Sequence, residues 1–337
     1  MRRLSTEERG VTAVIVAICA TVLFGIGALV VDVGAGFQEK RELQNGADAA
    51  ALALAQDCAL GNCTNLNTKA VEYANLNAKD GASRATANTI VGHGVKVVTR
   101  TNDAGPNTDG NVNTVDFQLA PVFGGPKGGE VAATATARWA PPAGGSTFPL
   151  TFSLCEFNKL VVGGVFSPTP QVIYFHEINN GNAAADPCAA QAGQDYDGDT
   201  KLNGGFGWLE TGPNPPPCTA VVTVAGWVAE KSGVAPPNAP CQPSMLQDQD
   251  VFLPVFDDVI ANGGQSKCGS NKCYHVYGLA TFHITGFRIT GQWKWNEPCS
   301  PPKTCIAGVF KAFKLGVSDG GSTGGPDLGT NVVFLTD

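Results

Sequence analysis

Charge is scarce in this chain. Only 15% of its residues are Asp, Glu, Lys or Arg, and no stretch gathers Lys and Arg into the basic footprint that a nucleic-acid partner requires. The net charge of −7 points the same way, favouring solubility over contact with a polyanion. Histidine is scarcer still. There are four, and none stands in a Cys/His cluster of zinc-ligand spacing. The sequence holds no P-loop and no H-E-x-x-H, and no G-x-S-x-G or G-x-G-x-x-G in a strand-to-helix setting. His176-Glu177 comes nearest to the metalloprotease pattern, but Asn180 stands where the second histidine belongs. The expectation is a chain that is not an enzyme, with no catalytic residues and no cofactor. His93, His176, His275 and His283 read as structural or exposed, and Asp257-Asp258 as solvated loop acids.

Glycine (42) and proline (22) are plentiful in the 337 residues, which suits turn-rich, β-rich extracytoplasmic domains, about two of them. Of eleven cysteines, Cys19 lies in an apolar run and ten follow it: Cys58, Cys63, Cys155, Cys188, Cys218, Cys241, Cys268, Cys273, Cys299 and Cys305. An even number on one side of an apolar segment points to disulfides and an oxidising compartment. Cys58/Cys63 and Cys268/Cys273 have the C-x4-C spacing that zinc also uses, but without histidine support. Proximity favours Cys58–Cys63, Cys268–Cys273 and Cys299–Cys305 as turn staples. The remaining cysteines allow three pairings, of which the sequential one, Cys155–Cys188 with Cys218–Cys241, is favoured. Cys19, alone in the apolar run and so in the membrane, is expected to stay a free, buried thiol.

Val11–Val31 carries no charge over 21 residues. As a helix it would span roughly 32 Å, one bilayer core. Signal-peptide apolar regions are shorter and end in an A-x-A-like site, which is not evident here. The expectation is a retained signal anchor over 11–33. Arg2, Arg3 and Arg9 precede it beside Glu7 and Glu8, and Lys40 and Arg41 follow, a small bias that places the N-terminus inside. The cysteines place the C-terminal portion outside, so the expected location is the cell membrane, single-pass, with the C-terminal domain extracytoplasmic.

Beyond the run comes Lys40–Gln56, "KRELQNGADAAALALAQ". Leu43, Ala47, Ala50 and Leu54 fall on one helical face. Alanine is the best helix former, and small side chains let another element come close. This face either packs on its own domain or serves as an assembly surface.

The stretch Arg9–Gln56 resembles the N-terminal region of TadE/TadG-like proteins of the Flp (tight-adherence) pilus system. The matching features are Arg9-Gly10, Val31-Asp32-Val33-Gly34, and Leu43-Gln44-Asn45-Gly46-Ala47-Asp48-Ala49-Ala50-Ala51. "GGFGWL" (Gly204–Leu209), "FLPVFDDV" (Phe252–Val259) and "YHVYGLATFHITGFRI" (Tyr274–Ile289) resemble ectodomains of Tad-related proteins from high-GC Gram-positive bacteria. The resemblance implies a membrane-anchored, non-catalytic accessory or structural protein of Flp pilus assembly. Its implied partners are the membrane and other Tad assembly proteins or pilin-like subunits, and Leu43, Ala47, Ala50 and Leu54 would form an assembly helix. Two family features are missing. Pseudopilins are cut after a Gly that is followed at the fifth residue by Glu, and here Ile15 follows Gly10. Some relatives carry a von Willebrand factor type A domain, but its D-x-S-x-S metal motif is not in this chain.

The expected fold is α+β: a transmembrane helix continuing into a long helix packed on a small antiparallel sheet, pilin-like, then a disulfide-stapled, mainly antiparallel β domain. The layout is a cytoplasmic N-terminus (1–10), anchor (11–33), extramembrane helix (34–57), pilin-like α+β region (58–140), linker (141–147) and Cys-rich β domain (148–337). Lys69–Lys79 reads as helix; Val91–Arg100, Val112–Ala120 and Val131–Trp139 read as strands. Cys273–Thr290 alternates until Gly286, where the apolar parity flips and a bulge is expected. The β domain reads as a sandwich or a related antiparallel fold.

Two features support a second reading, an exported module that binds a glycan or other surface ligand, with or without calcium. Asp195, Asp197 and Asp199 alternate like the first ligands of a calcium loop, although Thr200 and Phe206 replace the Gly and Glu such a loop needs. Trp208, Trp227, Trp293 and Trp295 are either a sugar platform or core aromatics; Trp293 and Trp295 would share a strand face.

Overall fold

The computed structural model describes residues 7–79, 81, 83–102, 114–175, 188, 205–211, 218–233, 235–237, 241–260, 268, 272–315 and 322–336. The chain divides into two compact units, the first built mainly from residues 1–58 and 63–138 and the second mainly from 139–334.

In the first unit one helix, α1 (Glu7–Ala59), runs unbroken from the apolar run into the alanine-rich stretch. Gly61, at φ +82°, takes the left-handed conformation that commonly follows a helix end, and the Cys58–Cys63 bond closes that turn. Helix α2 (Leu66–Asn77) follows, then β1 (Ser83–Ile90), β2 (Gly94–Thr101), the short pair β3 (Val115–Asp116) and β4 (Gly128–Gly129), and β5 (Ala132–Ala140). Strands β1, β2 and β5 are antiparallel neighbours. Their register lines up Ala85–Thr99–Ala133 and Ala87–Val97–Ala135 across the sheet, all buried. The side chain of Asn67 accepts from the Ala87 amide (2.8 Å) and that of Asn75 from the Ser83 amide (2.8 Å), which ties α2 to β1. The expected strand over Val112–Ala120 is only Val115–Asp116 among the described residues, because the backbone turns into a 3-10 helix at Ala120–Phe123, where Pro121 fits the first turn.

The second unit contains β6 (Gly144–Thr147), β7 (Leu150–Ser153), α3 (Leu154–Leu160), β8 (Val161–Val162), β9 (Val165–Phe166), β10 (Gln171–Tyr174), β11 (Phe206–Trp208), β12 (Ala220–Thr223) and β13 (Trp227–Ala229). It continues with β14 (Asp250–Ile260), β15 (Cys273–Arg288), β16 (Lys294–Trp295), β17 (Cys305–Lys311), β18 (Phe313–Leu315) and β19 (Thr330–Thr336). Residues read as linker carry β6, which pairs with β12.

The main sheet has the order β10-β17-β15-β14-β7-β11, with β13 and β16 also on β15. Its pairs are antiparallel except β14 with β7. A parallel bridge from Phe175 to Phe206 joins the two ends, so the order closes on itself rather than forming the two facing sheets of a sandwich. Phe152, Phe206, Phe282 and Phe310 fill its core, with Phe152 4.7 Å from Phe282 and 5.8 Å from Phe310, ring centre to centre. The parity flip of β15 is a register shift against β17 between Ile284 and Gly286.

Candidate functional site

The candidate assembly helix is the part of α1 that follows the apolar run. Leu43 is 3% exposed, and Ala47, Ala50 and Leu54 are wholly buried. The reason lies in the sheet. Its buried face is also small, built of Ala85, Ala87, Ala133, Ala135 and Ala137 with Val95 and Val97. Polar contacts fix the fit: Thr99 donates its hydroxyl to the Leu43 carbonyl (2.8 Å), and Gln44 donates to the Thr134 carbonyl (3.2 Å). Gly46 meets α2 so closely that a β-carbon there would lie 3.3 Å from the Ala74 backbone. Of the two readings of this face, packing on its own domain is what the structure shows: the chain's own sheet and second helix fill it.

Another face of α1 is open. Gly34, Phe37, Gln38 and Arg41 line a hollow there together with Lys79. Beside it, burial raises the pKa of Glu42. Hydrogen bonds from Gln38 and Lys79, with the Lys79 charge, outweigh it and hold the carboxyl below the usual range.

Asp32 was legible only as part of a motif. Its carboxylate, 5% exposed, accepts from the backbone amides of Gln118, Leu119 and Ala120. The signal in the sequence was a lone acid directly after an uncharged run, with nothing to name its partners.

In the second unit, Asp257 and Asp258 are not solvated loop acids. Both lie in β14 and are 2% exposed. Asp257 is the residue left over where the register against β15 shifts, and such a bulge re-aims a side chain. Its Oδ1 lies 2.6 Å from Nδ1 of buried His275, against which Trp227 packs edge-on. Nearby, the Tyr274 hydroxyl donates to Glu230 (3.2 Å); burial first, and the Glu230 charge second, push its pKa well above the ordinary value. These contacts staple strands together. Among the described residues no group of three or more His, Cys, Asp or Glu is placed to hold a metal. Asp195, Asp197, Asp199 and His176 lie outside the described residues.

The tryptophans do not form a platform. Trp208 is fully buried and Trp293 is 8% exposed, 6.2 Å apart edge to face, while half-buried Trp295 packs on Phe287. The cysteines are bonded Cys58–Cys63, Cys155–Cys188, Cys218–Cys241, Cys268–Cys273 and Cys299–Cys305. Cys19 is free and lies on the outer surface of the apolar part of α1.

With this geometry in place, the comparisons are specific to one region. Residues 10–57 match the Tad family, described as Flp pilus-assembly TadE/G-like. The match covers the apolar run, Asp32 and the buried seam, all on α1. Neither the curated proteins nor the solved structures yielded a match to the chain.

Proposed function

We propose that this chain is a single-pass, non-catalytic accessory or structural protein of Flp (Tad) pilus assembly, with its disulfide-bonded portion on the extracytoplasmic side. One observation carries the reading. A single continuous helix holds the family match and the apolar run, and it also forms the core of the first unit. The orientation is supported by the disulfides, which persist in oxidising compartments. Because the Leu43–Leu54 face is used internally, contacts with other pilus components fall on the lipid-facing side of the span and on the hollow around Phe37 and Arg41.

The test is deletion of the chain in a piliated host and complementation with the full chain. Counting sheared and cell-bound pili by electron microscopy should show loss and recovery, with the protein in the membrane fraction and an intact mass that retains the anchor. Unchanged piliation after deletion would refute the assembly role. A mature chain starting at Val11 or after Gly36 would refute retention of the anchor.

A further inference from the structure

Asp32 sits where the apolar run ends, and this gives the residues bonded to it a depth. An uncharged run of 21 residues, Val11–Val31, fills a hydrocarbon core of about 30 Å, so Asp32 stands at its boundary. A carboxylate there is costly unless its oxygens are satisfied. Backbone amides satisfy them here, from Gln118 at 2.8 Å, Leu119 at 3.1 Å, and Ala120. The turn that supplies them is therefore held at the level of the boundary.

The turn is suited to that level. Pro121 has no amide hydrogen. Val122 donates to the Leu119 carbonyl (3.1 Å), Gly124 to Pro121 (3.1 Å) and Gly125 to Ala120 (2.8 Å). Backbone that satisfies itself is what a low-dielectric boundary demands. Gln118–Gly125 carries no charged residue. Outward from it, Leu119 is 37% and Val122 73% exposed. On α1, Ala28 lies one turn deeper than Asp32 on the same face and is 4% exposed, while Leu29 and Val30 are 65% and 66% exposed. Protein thus covers this face about 6 Å inward of Asp32.

We infer that the Leu119–Phe123 turn is a second membrane contact, clipped by Asp32 to the outer end of the span and seating Leu119 and Val122 in the interface of that leaflet. The occupant of this small apolar surface is lipid, because the surface is continuous with the lipid-facing helix. The inference rests on the reading of α1 as a membrane anchor.

The experiment uses the full chain with Cys19→Ser, adding one thiol at a time by Val122→Cys, Val22→Cys or Val91→Cys. Each is labelled with a small fluorophore and reconstituted in nanodiscs of phosphatidylcholine and phosphatidylglycerol. Spin-labelled lipids carry the quencher at the headgroup, high on the chain or deep on the chain. The label at 122 should be quenched about twofold or more better by headgroup and shallow quenchers than by the deep one. The label at 22 should prefer the deep quencher. The label at 91, on a turn residue 96% exposed, should be quenched by none. Asp32→Ala should release the label at 122 without affecting that at 22. A label at 122 as unquenched as that at 91, with 22 still quenched, overturns the second contact alone. Unchanged quenching in Asp32→Ala overturns the clip. No quenching at 22 overturns the anchor reading itself.

Discussion

Replacing Ala50 with Leu tests whether the small-residue face of α1 is filled by the chain itself. Ala47, Ala50 and Ala51 have no exposed surface, and at Gly46 the neighbouring α2 leaves only 3.3 Å to a β-carbon. Added methylenes have nowhere to go without moving the helix or leaving a favoured rotamer. Overpacking of this kind costs about 1–3 kcal/mol. At about 1.4 kcal/mol per tenfold, opening of the seam becomes about fivefold to more than a hundredfold more frequent. Hydrogen exchange of the full chain in nanodiscs reads this directly, in peptides covering Ser83–Thr101 and Ala132–Ala140. Asn45→Leu adds bulk at an exposed position of the same helix and should stay within about 0.5 kcal/mol of the parent. Faster exchange in Ala50→Leu with none in Asn45→Leu is the expected pair of results. Unchanged exchange in Ala50→Leu would show that the face is not packed as described, and would return it to the list of surfaces open to a partner.

The disulfides should differ in weight. Loop entropy assigns about 3.7 kcal/mol to the 33-residue Cys155–Cys188 loop and about 2 kcal/mol to the five-residue Cys58–Cys63 loop. Replacing each pair by Ser and measuring chemical denaturation of the full chain checks this; an equal loss would refute the ranking. Asp250 makes a pH prediction. Burial raises its pKa, but bonds from Lys311 (2.8 Å) and His283 (2.9 Å), with their charges, outweigh it and hold it below the ordinary 3.8. A depressed carboxylate gives stability that is full above the unfolded value and is lost as pH falls through the folded one. The stability gap between the parent and Asp250→Asn should therefore shrink as pH drops below 3.8, and a gap that stays constant would refute the pairing.

What the sequence shows and what it hides divide along a physical line. Local periodicity was enough for α2, β2 and β5, because each winds or alternates with one face buried, and the span showed itself by its lack of charge. β1 (Ser83–Ile90) was missed, because its buried positions are only Ser83, Ala85 and Ala87, too small to mark an apolar face. Periodicity also marked Gly286, where the apolar face changes side and the register against β17 shifts. It could not show that the order from β10 to β11 closes on itself, because that rests on one bridge between residues 31 apart in the chain, Phe175 and Phe206. Nor could it show Asp257 as buried. A bulge changes which way one residue points, and two adjacent acids after a Phe look like a turn until the partner histidine is placed opposite. Asp32 was hidden for a third reason: its partners are backbone amides 86 to 88 residues away, and amides carry no signature in side-chain identity. The Gly-rich segment before Phe148 read as a linker because glycine is poor in strands, yet Gly144 lies so close to β12 that a β-carbon would meet the Val222 carbonyl at 2.8 Å.

The same contacts bear on what an anchor of this kind can do. A domain tethered by a flexible linker gains proximity to the membrane but no orientation. Here the segment from Asp32 to Leu54 is one helix, held at its lower end by the Gln118–Ala120 amides and along its upper end by the sheet. A helix bonded at two heights to the same unit cannot turn about its axis without breaking one set of contacts. The β1-β2-β5 sheet is thereby fixed in height and direction relative to the apolar run of α1, so the hollow at Gly34, Phe37 and Arg41 is presented in a set orientation. In the role proposed above, such fixed presentation is the means by which membrane position is converted into a specific contact above the membrane.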